Sequence, residues 1–597
     1  MSDAAKTYFL NVKESANGQV WIDRLKTGDR NTAQAISQSM DVPELLGRVM
    51  AARGVKADEA AAYLNPALRD LMPDPSTLTD MDKAINRACD AITANQRIAI
   101  FGDYDVDGAC SSAQLARYFM QTGIENEIYI PDRIFEGYGP NPEAIAKLVE
   151  RGAQLIITVD CGATSFEALE EAKSLGVDVI VLDHHQMGVE LPHCEALVNP
   201  NRQDDLSGLG HLCAAGVVFM FLAGLNRKLR ETQNNNRGNL PDLMALLDLV
   251  AFATVCDVVP LIGLNRAFVV KGLQVMAQQK NAGLKALMRA GRLDGPPRPY
   301  HLGFVLGPRV NAGGRIGDAA LGARLLSIDD DTQAEEIAAQ LEELNRQRQL
   351  AEKQMLEVAT AEAEAEMQAA KPPAVLLTAS DDWHPGIVGL LASRLKDKFH
   401  RPSFAIAFDR NGKGSGSGRS IHGVDLGGVV RAAVSEGLLD KGGGHAMAAG
   451  LTVNKDNLGA LRAFFEDKLS DAVLSANETR SLKIDGALSA RSATLELYEL
   501  LERAGPFGSG NSQPVFCLPA HSIRYAKIVG TDHVSFSAQS GDGANVRAIA
   551  FRAADTPVGK LLLDSNQPIH LAGTLNADFW QGSKRVQFRL LDAVVAR

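Results

Sequence analysis

Residues 97–108 read RIAIFGDYDVDG, a short apolar run followed at once by a loop of glycine and aspartate. Apolar runs of similar length return at 126–130 (NEIYI), 155–159 (LIITV) and 177–182 (VDVIVL). Amphipathic segments separate these runs, in the order SSAQLARYFMQTG, PEAIAKLVERG and SFEALEEAKSLG. Strands of about five residues that alternate with helices of about 12 are typical of βαβ units. The stretch therefore predicts an α/β domain with a parallel sheet that carries helices on both faces.

Acids and histidines follow the predicted strands at their carboxyl ends. Loops at that edge of a parallel sheet share one crevice, so we expect these side chains to converge. A lone aspartate there usually forms a turn or caps a helix, but Asp-His-His after a buried strand is hard to explain by packing. Carboxylate oxygens with one or two imidazoles suit Mn²⁺ or Mg²⁺. The residues predicted to converge at this site, the metal-site set, are Asp105, Asp107, Asp160, Asp183, His184, His185 and Asp257.

The rest of the chain divides by pattern. Residues 1–80 carry short helical patterns without identifiable chemistry, and the α/β domain is assigned to 81–328. Over 329–371 we predict one long connector helix, ended by Pro372 and Pro373. A second, smaller α/β domain is predicted for 372–475, and alternating apolar residues predict an antiparallel β-barrel or sandwich for 476–597. The connector's apolar residues, which predict a narrow buried stripe, are Ile337, Leu341, Leu344, Met355 and Val358.

The net charge of −11 at first argues against a nucleic-acid partner. Much of that charge lies in one segment, because residues 329–366 contain twelve acidic and three basic residues. Residues 394–431 reverse the balance, with eight Lys or Arg against three Asp or Glu. A basic surface is therefore available for a strand of DNA.

Several classes of protein are disfavoured. The N-terminus shows no signal-peptide pattern, and no run of about 18 apolar residues occurs, so we expect a cytoplasmic protein. The seven cysteines include no C-x-x-C pair, which disfavours disulfide frameworks and structural zinc. No GxxxxGK[ST] loop is present, so a nucleotide-driven motor is not supported.

Four motifs in order carry a family resemblance. FGDYDVDG (101–108), VDCG (159–162), LDHHQ (182–186) and CDVVP (256–260) resemble the four motifs of the DHH phosphoesterase superfamily. Later motifs resemble the RecJ branch, whose members are 5′-to-3′ single-strand-specific DNA exonucleases. By the same resemblance, the second α/β domain is similar to the DHHA1 domain, and the barrel is similar to an OB fold that binds nucleic acid. The later motifs are GPRVNAGGRIGDA (307–319), HPGIVGLLASRL (384–395), SGSGRS (415–420), GGGHAMAAG (442–450), PFGSGN (506–511) and DFWQGSKRVQF (578–588).

The resemblance implies a division of roles within the metal-site set. Five residues, Asp105, Asp107, Asp160, His184 and Asp257, would hold two Mn²⁺ or Mg²⁺ ions, with Asp160 a candidate bridge. His185 would contact the scissile phosphate, and Asp183 would support a neighbouring ligand through a hydrogen bond. Asp103 either binds metal or orders the loop. Such a pair of ions activates water and neutralises charge on the attacking and leaving oxygens.

An exonuclease also needs to recognise an end. Arginine forks and glycine-rich turns match phosphate geometry, so these RecJ-like motifs are candidates for a 5′-phosphate pocket. The alternative is that the arginines only pair with acids and the glycines only permit turns, and His384 in the HPG motif is equally open. Among the aromatic residues Trp383, Trp580, Phe579 and Phe536, only Trp580 is favoured as a base-stacking residue. The substrate-binding candidates are Arg309, Arg315, Arg419, Gly444, His445 and Trp580.

The favoured function is a metal-dependent 5′-to-3′ exonuclease of single-stranded DNA that acts in repair and recombination. A helicase or a single-strand-binding protein would be a partner, the protein would be a monomer, and no membrane is involved. One alternative is a DHH phosphoesterase for small molecules or short oligonucleotides, against which the basic stretch and the barrel argue. A noncatalytic binding protein is the other, and the presence of all the metal-site acids argues against it.

Overall fold

A computed structural model describes residues 8–132, 136–137, 139–232, 240–564, 566–580 and 583–596. The chain forms two compact units. One consists of residues 72–259 and 268–478, and the other of residues 1–71, 260–267 and 479–597. Within the described ranges, no helix combines the length and the apolarity that a membrane span requires.

The larger unit begins with a five-stranded, fully parallel sheet, which confirms the predicted α/β fold. Apolar residues fill its strands because helices cover both faces, and the core strand Leu155–Val159 is buried throughout. In spatial order the strands are Asn126–Tyr129, Ile98–Phe101, Leu155–Val159, Asp178–Leu182 and Ala196–Val198. The associated helices are Met81–Thr93, Val106–Gln121, Pro142–Glu150, Phe166–Ser174 and Ala214–Thr232.

A helical region follows the sheet. It leads from the helix that ends just before Asp257 to the long connector helix. One segment, Leu302–Leu306, is π-helical, and the thiol of Cys256 donates a hydrogen bond to the Leu302 carbonyl at 3.3 Å. The helices are Leu247–Cys256, Gly263–Met276, Ala282–Ala290, Pro299–His301, Gly307–Ile316 and Leu321–Ser327.

The connector helix spans Asp331–Met367, and the Asp330 carboxylate caps it by accepting the Gln333 N–H at 2.7 Å. It ends one turn after its last buried residue, Ala363, and so before the prolines expected to end it. The expected apolar stripe was only partly right, because Val358 is 51% exposed. The buried face is instead rich in alanine and polar at its middle: Ala334, Ala338, Leu341, Asn345, Arg348, Glu352, Met355, Ala359 and Ala363.

Ion pairing explains how the polar middle of this helix is buried. The Arg348 guanidinium pairs with Glu352, and it donates to the Asn345 amide oxygen at 2.7 Å. Glu352 also accepts from Arg394 of a later helix at 3.0 Å. Charged groups that satisfy one another in this way can replace apolar residues in a buried stripe.

The second domain of this unit is built on a mixed five-stranded sheet. Its strand order is Lys441–His445, Ala448–Asn454, Lys413–Arg419, Ser403–Phe408 and Leu376–Ser380, and only the last two strands pair in parallel. Packing of its strands against helices gives it an apolar core of its own, around Phe404 and Phe465. The helices are Val388–Phe399, Leu426–Ser435 and Leu458–Glu478.

The smaller unit contains the predicted barrel. Five strands close on themselves, since the first also pairs with the fourth along the chain. These strands are Phe516–Val529, His533–Gln539, Asn545–Ala550, Ile569–Trp580 and Ser583–Val595, and Gly486–Ala487 adds to the first. Helices Leu495–Glu502 and Pro557–Asp564 accompany them.

The N-terminal residues pack with this barrel. Strand Val20–Asp23 pairs in parallel with Ser481–Ile484, and the buried Trp21 indole N–H donates to the Asp592 carboxylate at 2.9 Å. The buried Asp485 carboxylate accepts from Arg53 at 2.9 Å. Four helices, Arg30–Met40, Glu44–Ala51, Ala60–Leu64 and Leu68–Leu71, complete the region.

Candidate metal centre

The first motif builds a helix start that presents two acids. Asp105 lies just before helix Val106–Gln121, and its Oδ1 accepts the N–H groups of Asp107 at 2.8 Å and Gly108 at 3.1 Å. Helix capping therefore uses one Asp105 oxygen and leaves the other available. Gly108 is required because a Cβ there would lie 2.4 Å from the Asp103 carbonyl oxygen.

Asp107 is buried and points at the start of a second helix. Its two oxygens accept the N–H groups of Ala214 at 2.7 Å and Ala215 at 2.8 Å, the first residues of helix Ala214–Thr232. Unpaired N–H groups at a helix N-terminus stabilise a carboxylate. The second helix thereby fixes the orientation of Asp107.

Asp160 follows the central strand in a left-handed backbone conformation, with φ of +61°. Its N–H donates to the Leu182 carbonyl at 3.1 Å, which holds the residue in this disfavoured region. Gly162 follows at φ +108°, where a Cβ would lie 2.6 Å from the Thr158 hydroxyl. This turn places the Asp160 carboxylate at the mouth of the sheet.

His184 joins three acids from three different elements. Its Nε2 lies 3.3 Å from Asp160 Oδ1 and 3.7 Å from an oxygen of both Asp107 and Asp257. Although this Nε2 is buried, it makes no hydrogen bond to any described residue. An imidazole nitrogen that faces three carboxylates without hydrogen bonding to them fits the first ligand shell of a cation.

Among the residues that the structure describes, three groups of side chains each have ligand atoms within 4.8 Å of one another. Asp160 belongs to two groups and His184 to two, so the groups form one connected cluster. Asp103, which the sequence left open, groups with Asp105 and Asp160. The groups are Asp107, His184 and Asp257; Asp103, Asp105 and Asp160; and Asp160, His184 and His185.

The carboxylates of this cluster are buried and crowded, so that nearby positive charge would stabilise their ionised forms. Burial raises the pKa of Asp160 well above its usual range, and the neighbouring Asp107 and Asp105 raise it further. Burial, together with the same two acids, raises the pKa of Asp257 to about 9. Burial also raises the pKa of Asp107, although His184 opposes the shift. Crowded buried carboxylates of this kind are ionised together only when cations lie between them.

Asp183 and His185 form an ion pair beside the cluster. Asp183 Oδ1 accepts the N–H groups of His184 at 2.7 Å and His185 at 3.1 Å and lies 2.8 Å from His185 Nδ1, while Oδ2 accepts from Ala163 at 3.0 Å. Burial opposes ionisation of Asp183, but these bonds and the His185 charge lower its pKa to about 2. Burial opposes the charge on His185 as well, and Asp183 with Asp257 nevertheless raises its pKa to about 9.

Two asparagines that the sequence analysis missed complete this part of the site. The Asn201 amide donates to the His184 carbonyl at 2.6 Å, and the Asn199 amide donates to the His185 carbonyl at 2.9 Å. Both follow the three-residue strand Ala196–Val198. The polar NPN triplet after ALV repeats the pattern of polar residues after an apolar run, and it was the available signal.

Arg315 and Arg419, two candidates for the 5′-phosphate pocket, are linked by a chain of close contacts to the loop that carries Asp103 and Asp105. A Cβ on Gly314 would lie 2.7 Å from the Tyr104 carbonyl oxygen, and Arg315 donates to the Gly386 carbonyl at 2.9 Å. A Cβ on Gly389, in the first turn of the next helix, would lie 3.1 Å from an Arg419 nitrogen. Arg315 and Arg419 are therefore brought to the same helix start.

The other candidates have more local partners. Arg309 pairs with Glu342 and donates to the Val305 carbonyl. Gly444 has φ of +139°, and its carbonyl accepts from Arg431 at 2.9 Å. His445 is exposed and is aligned, through Ala448, with Arg419 two strands away in the sheet.

His384, Trp383 and Phe536 have structural surroundings that the structure describes. His384 Nδ1 accepts the Gly386 N–H at 3.1 Å, so it orders the turn that precedes helix Val388–Phe399, and Pro385 lies in that turn rather than in the helix. Trp383 and Phe536 are buried, as expected of most aromatic residues. The Trp580 and Phe579 side chains lie outside the part of the chain that the structure describes.

Comparisons with known proteins agree with this architecture. Residues 97–254 match the model of the DHH family N-terminal domain, residues 372–471 that of the DHHA1 domain, and residues 484–592 that of the RecJ OB domain. The parallel sheet and its acidic centre thus define a phosphoesterase of the DHH class.

Relatives that match most of the chain identify the family within this class. The chain is 35% identical to the single-stranded-DNA-specific exonuclease RecJ of Escherichia coli strain K12, covering 92% of this chain and 95% of the relative. It is 30% identical to the Bacillus subtilis strain 168 protein of the same name, covering 95% and 70%. The crystal structure of Thermus thermophilus RecJ in complex with Mn²⁺ matches with a TM-score of 0.78 and 28% identity over 95% of this chain and 78% of that chain. The chain belongs to the RecJ family of single-stranded-DNA-specific exonucleases.

Proposed function

We propose that the protein is a metal-dependent exonuclease that hydrolyses single-stranded DNA from the 5′ end. The observation that carries this function is the convergence of acids and His184 into connected groups that share Asp160. Relatives at 30–36% identity bear the name of single-stranded-DNA-specific exonuclease, and solved RecJ structures contain Mn²⁺ or Mg²⁺. The buried, crowded carboxylates fit two such cations.

Within this proposal, Asp107, His184 and Asp257 hold one cation, and Asp105 holds the other. Asp160 would be shared by the two sets, because its ligand atoms lie within 4.8 Å of those of Asp103 and Asp105 in one group and of those of His184 and His185 in another. Asp103 is added to the second set on the basis of its grouping with Asp105 and Asp160. A pair of divalent ions lowers the pKa of a bound water and neutralises charge on the phosphate oxygens.

The protein's own groups then act on the phosphate. Asp183 holds the His185 ring through Nδ1 and keeps it cationic, so His185 is suited to contact an anionic phosphate oxygen. Asp183 acts through His185 and is a positioning residue. Helix Ala214–Thr232, whose first N–H groups bind Asp107, fixes that carboxylate before substrate arrives.

End recognition is assigned to the group around helix Val388–Phe399. Arg315 and Arg419 supply planar donors near the N–H groups of its first turn, an arrangement that suits a 5′-phosphate. His445 lies roughly 10 Å from Arg419, two strand spacings across the sheet, and extends the basic rim. Gly444 brings its backbone close to this rim, whereas Arg309 serves its ion pair with Glu342.

The barrel supplies the surface for the rest of the strand. On its outer face, the exposed Arg589 guanidinium lies 4.7 Å from the centre of the half-exposed Phe551 ring, and Arg547 is exposed on the adjoining strand. Bases stack on aromatic rings, and arginines track the backbone, in barrels that bind single strands. Trp580 remains a further stacking candidate.

A phosphoesterase for small molecules could use the same metal centre. The barrel distinguishes a nuclease for long strands from an enzyme for small molecules, because a dinucleotide is too small to use a second binding surface. We therefore expect long single strands to be degraded much faster than dinucleotides. Equal rates would favour the small-molecule function.

The decisive variant is Asp160→Asn, because asparagine tolerates the left-handed backbone at this position better than alanine does. Purified protein with Mn²⁺ is given single and double strands labelled at the 5′ or 3′ end. The wild type should release the 5′ label first and only from single strands, while the variant should bind DNA without cleaving it. Hydrolysis at the normal rate by the variant would refute the metal site, and early release of the 3′ label would refute the polarity.

The cellular setting follows from the substrate. Single-stranded DNA with a free 5′ end arises in repair and recombination, and we propose that the protein acts in these processes. We propose further that it does so in the cytoplasm and as a monomer. A helicase that exposes single strands, or a protein that coats them, would be its partner.

A further inference from the structure

Every backbone polar group of the His184–His185 pair is held by a side chain. The two N–H groups donate to Asp183 Oδ1, at 2.7 and 3.1 Å. The two carbonyls accept from amides, His184 from Asn201 at 2.6 Å and His185 from Asn199 at 2.9 Å. A dipeptide in a loop normally leaves some of these groups to water, so this complete set of bonds fixes both imidazoles.

The two amides are themselves fixed. Asn199 is fully buried, and its Oδ1 accepts the Asn201 N–H at 2.8 Å. The Asn199 carbonyl accepts the N–H of Arg202 at 3.1 Å, and the buried Arg202 guanidinium pairs with Asp80 and Asp204. The loop after strand Ala196–Val198 is therefore a rigid support.

We infer that Asn201 and Asn199 are positioning residues with separate tasks: Asn201 fixes the metal ligand His184, and Asn199 fixes the phosphate-contacting His185. The inference rests on the roles given to the two histidines under the proposed function. Each amide bonds one carbonyl of the pair, so each controls the backbone that carries one ring.

The separation of tasks predicts two different defects. His184 Nε2 lies among the carboxylates of Asp107, Asp160 and Asp257, so a displaced His184 weakens cation binding. His185 is held chiefly by Asp183, so a displaced His185 leaves the cations in place and slows the reaction. Loss of such an outer hydrogen bond typically costs about 10–100-fold in metal affinity or activity.

The test replaces each amide by a group that lacks the N–H donors. Asn201→Ser and Asn199→Ser are the primary variants, and the isosteric Asn201→Asp and Asn199→Asp keep the volume if serine impairs folding. Asn226→Ser is the matched control, since the buried Asn226 amide also donates to a backbone carbonyl, that of Pro241 at 3.1 Å, but stands outside the metal cluster.

Three quantities are measured on the full chain: Mn²⁺ binding by calorimetry without DNA, kcat at saturating Mn²⁺, and Tm in EDTA. For Asn201→Ser we expect Mn²⁺ binding weakened about 10–100-fold, with most of kcat recovered at high Mn²⁺. For Asn199→Ser we expect kcat lowered about 10–100-fold, and Mn²⁺ binding weakened less than in Asn201→Ser, because Asn199 reaches His184 only indirectly, through the Asn201 N–H that it accepts. Asn226→Ser should lower only Tm.

The outcomes separate this inference from the proposed function. If both asparagine variants only lower Tm, as the control does, or if both weaken Mn²⁺ binding equally, the inference is overturned. If Asp160→Asn still hydrolyses DNA, the metal site itself is wrong. An inactive Asp160→Asn together with control-like asparagine variants would refute the positioning roles alone.

Discussion

Replacing Asp160 by asparagine should have opposite effects on stability with and without metal. Without metal, the Asp160 carboxylate is buried within 4.8 Å of ligand atoms on Asp103 and Asp105. Two charges at that separation repel by about 3–4 kcal/mol at an effective dielectric constant of about 20. The metal-free protein avoids this repulsion by keeping Asp160 protonated, which is why its pKa lies well above the usual range.

The size of the effect follows from proton linkage. The unfolded chain ionises this aspartate near pH 3.9, whereas burial and the neighbouring acids raise the pKa of Asp160 well above that value in the folded, metal-free protein. A raised carboxyl pKa costs stability that grows as pH rises above the unfolded value, by about 1.4 kcal/mol per unit. The cost therefore grows as pH rises above about 4, until the folded protein itself loses the proton, and asparagine, which does not titrate, removes it.

Bound metal should make the wild type the more stable of the two proteins. An ion at 1,000 times its dissociation constant stabilises the wild type by about 4 kcal/mol, and the variant should gain little of this. Calorimetric melting in EDTA and in MnCl₂ measures both effects. We expect the variant to melt higher in EDTA and the wild type to gain far more from Mn²⁺, with the EDTA difference vanishing near pH 4.

Two results would contradict this reasoning. If the variant melts below the wild type in EDTA near pH 7.5, the carboxylates are not crowded as the structure places them. If Mn²⁺ raises the Tm of both proteins equally, Asp160 is not a ligand. Asp183→Asn is a suitable comparison, because the pKa of Asp183 is lowered rather than raised, so its loss should destabilise the metal-free protein.

Three further perturbations test other parts of the molecule. Asp248→Asn should stabilise the protein by up to about 4 kcal/mol near pH 8 and by little near pH 4, because burial raises the pKa of Asp248 to about 7; denaturant unfolding across this pH range measures it. Arg419→Ala should reduce the preference for 5′-phosphorylated over 5′-hydroxyl strands by at least about tenfold, because it removes one charged hydrogen bond. Arg309→Ala should leave this preference unchanged, and competition between labelled strands with the two kinds of 5′ end measures it. Arg589→Ala should lower the slope of log affinity against log salt by about 0.7, and Phe551→Ala should weaken binding by about 1–3 kcal/mol, both only for strands long enough to reach the barrel.

The fold could be predicted from the sequence where local pattern decides it. The strands that begin at Ile98, Leu155 and Asp178 were predicted correctly because a parallel strand that is buried on both faces is a short, continuous apolar run bounded by turn residues. The connector stripe was only partly correct, because the burial of Arg348 and Glu352 depends on their pairing with each other and with Arg394. Pattern alone ranks such residues as exposed.

The candidate site, too, could be predicted from the sequence only in part. The convergence of acids such as Asp105 and Asp160 was foreseeable, since strand ends meet in space. The grouping of Asp103 with them was not, because it depends on the path of one loop. Asn199 was missed because a buried amide that supports a backbone carbonyl has no pattern of its own in a single sequence.

The pairing of the first 71 residues with residues 479–597 in one unit has a consequence for biosynthesis. Trp21 and Arg53 are made early, but their partners Asp592 and Asp485 emerge from the ribosome more than 400 residues later. At about 5–20 residues per second, the nascent N-terminus waits roughly 20–115 s without its partners. Chaperones therefore have a long window in which to bind it, and an expression fragment that begins at the barrel would lack about a third of the buried residues of its own core.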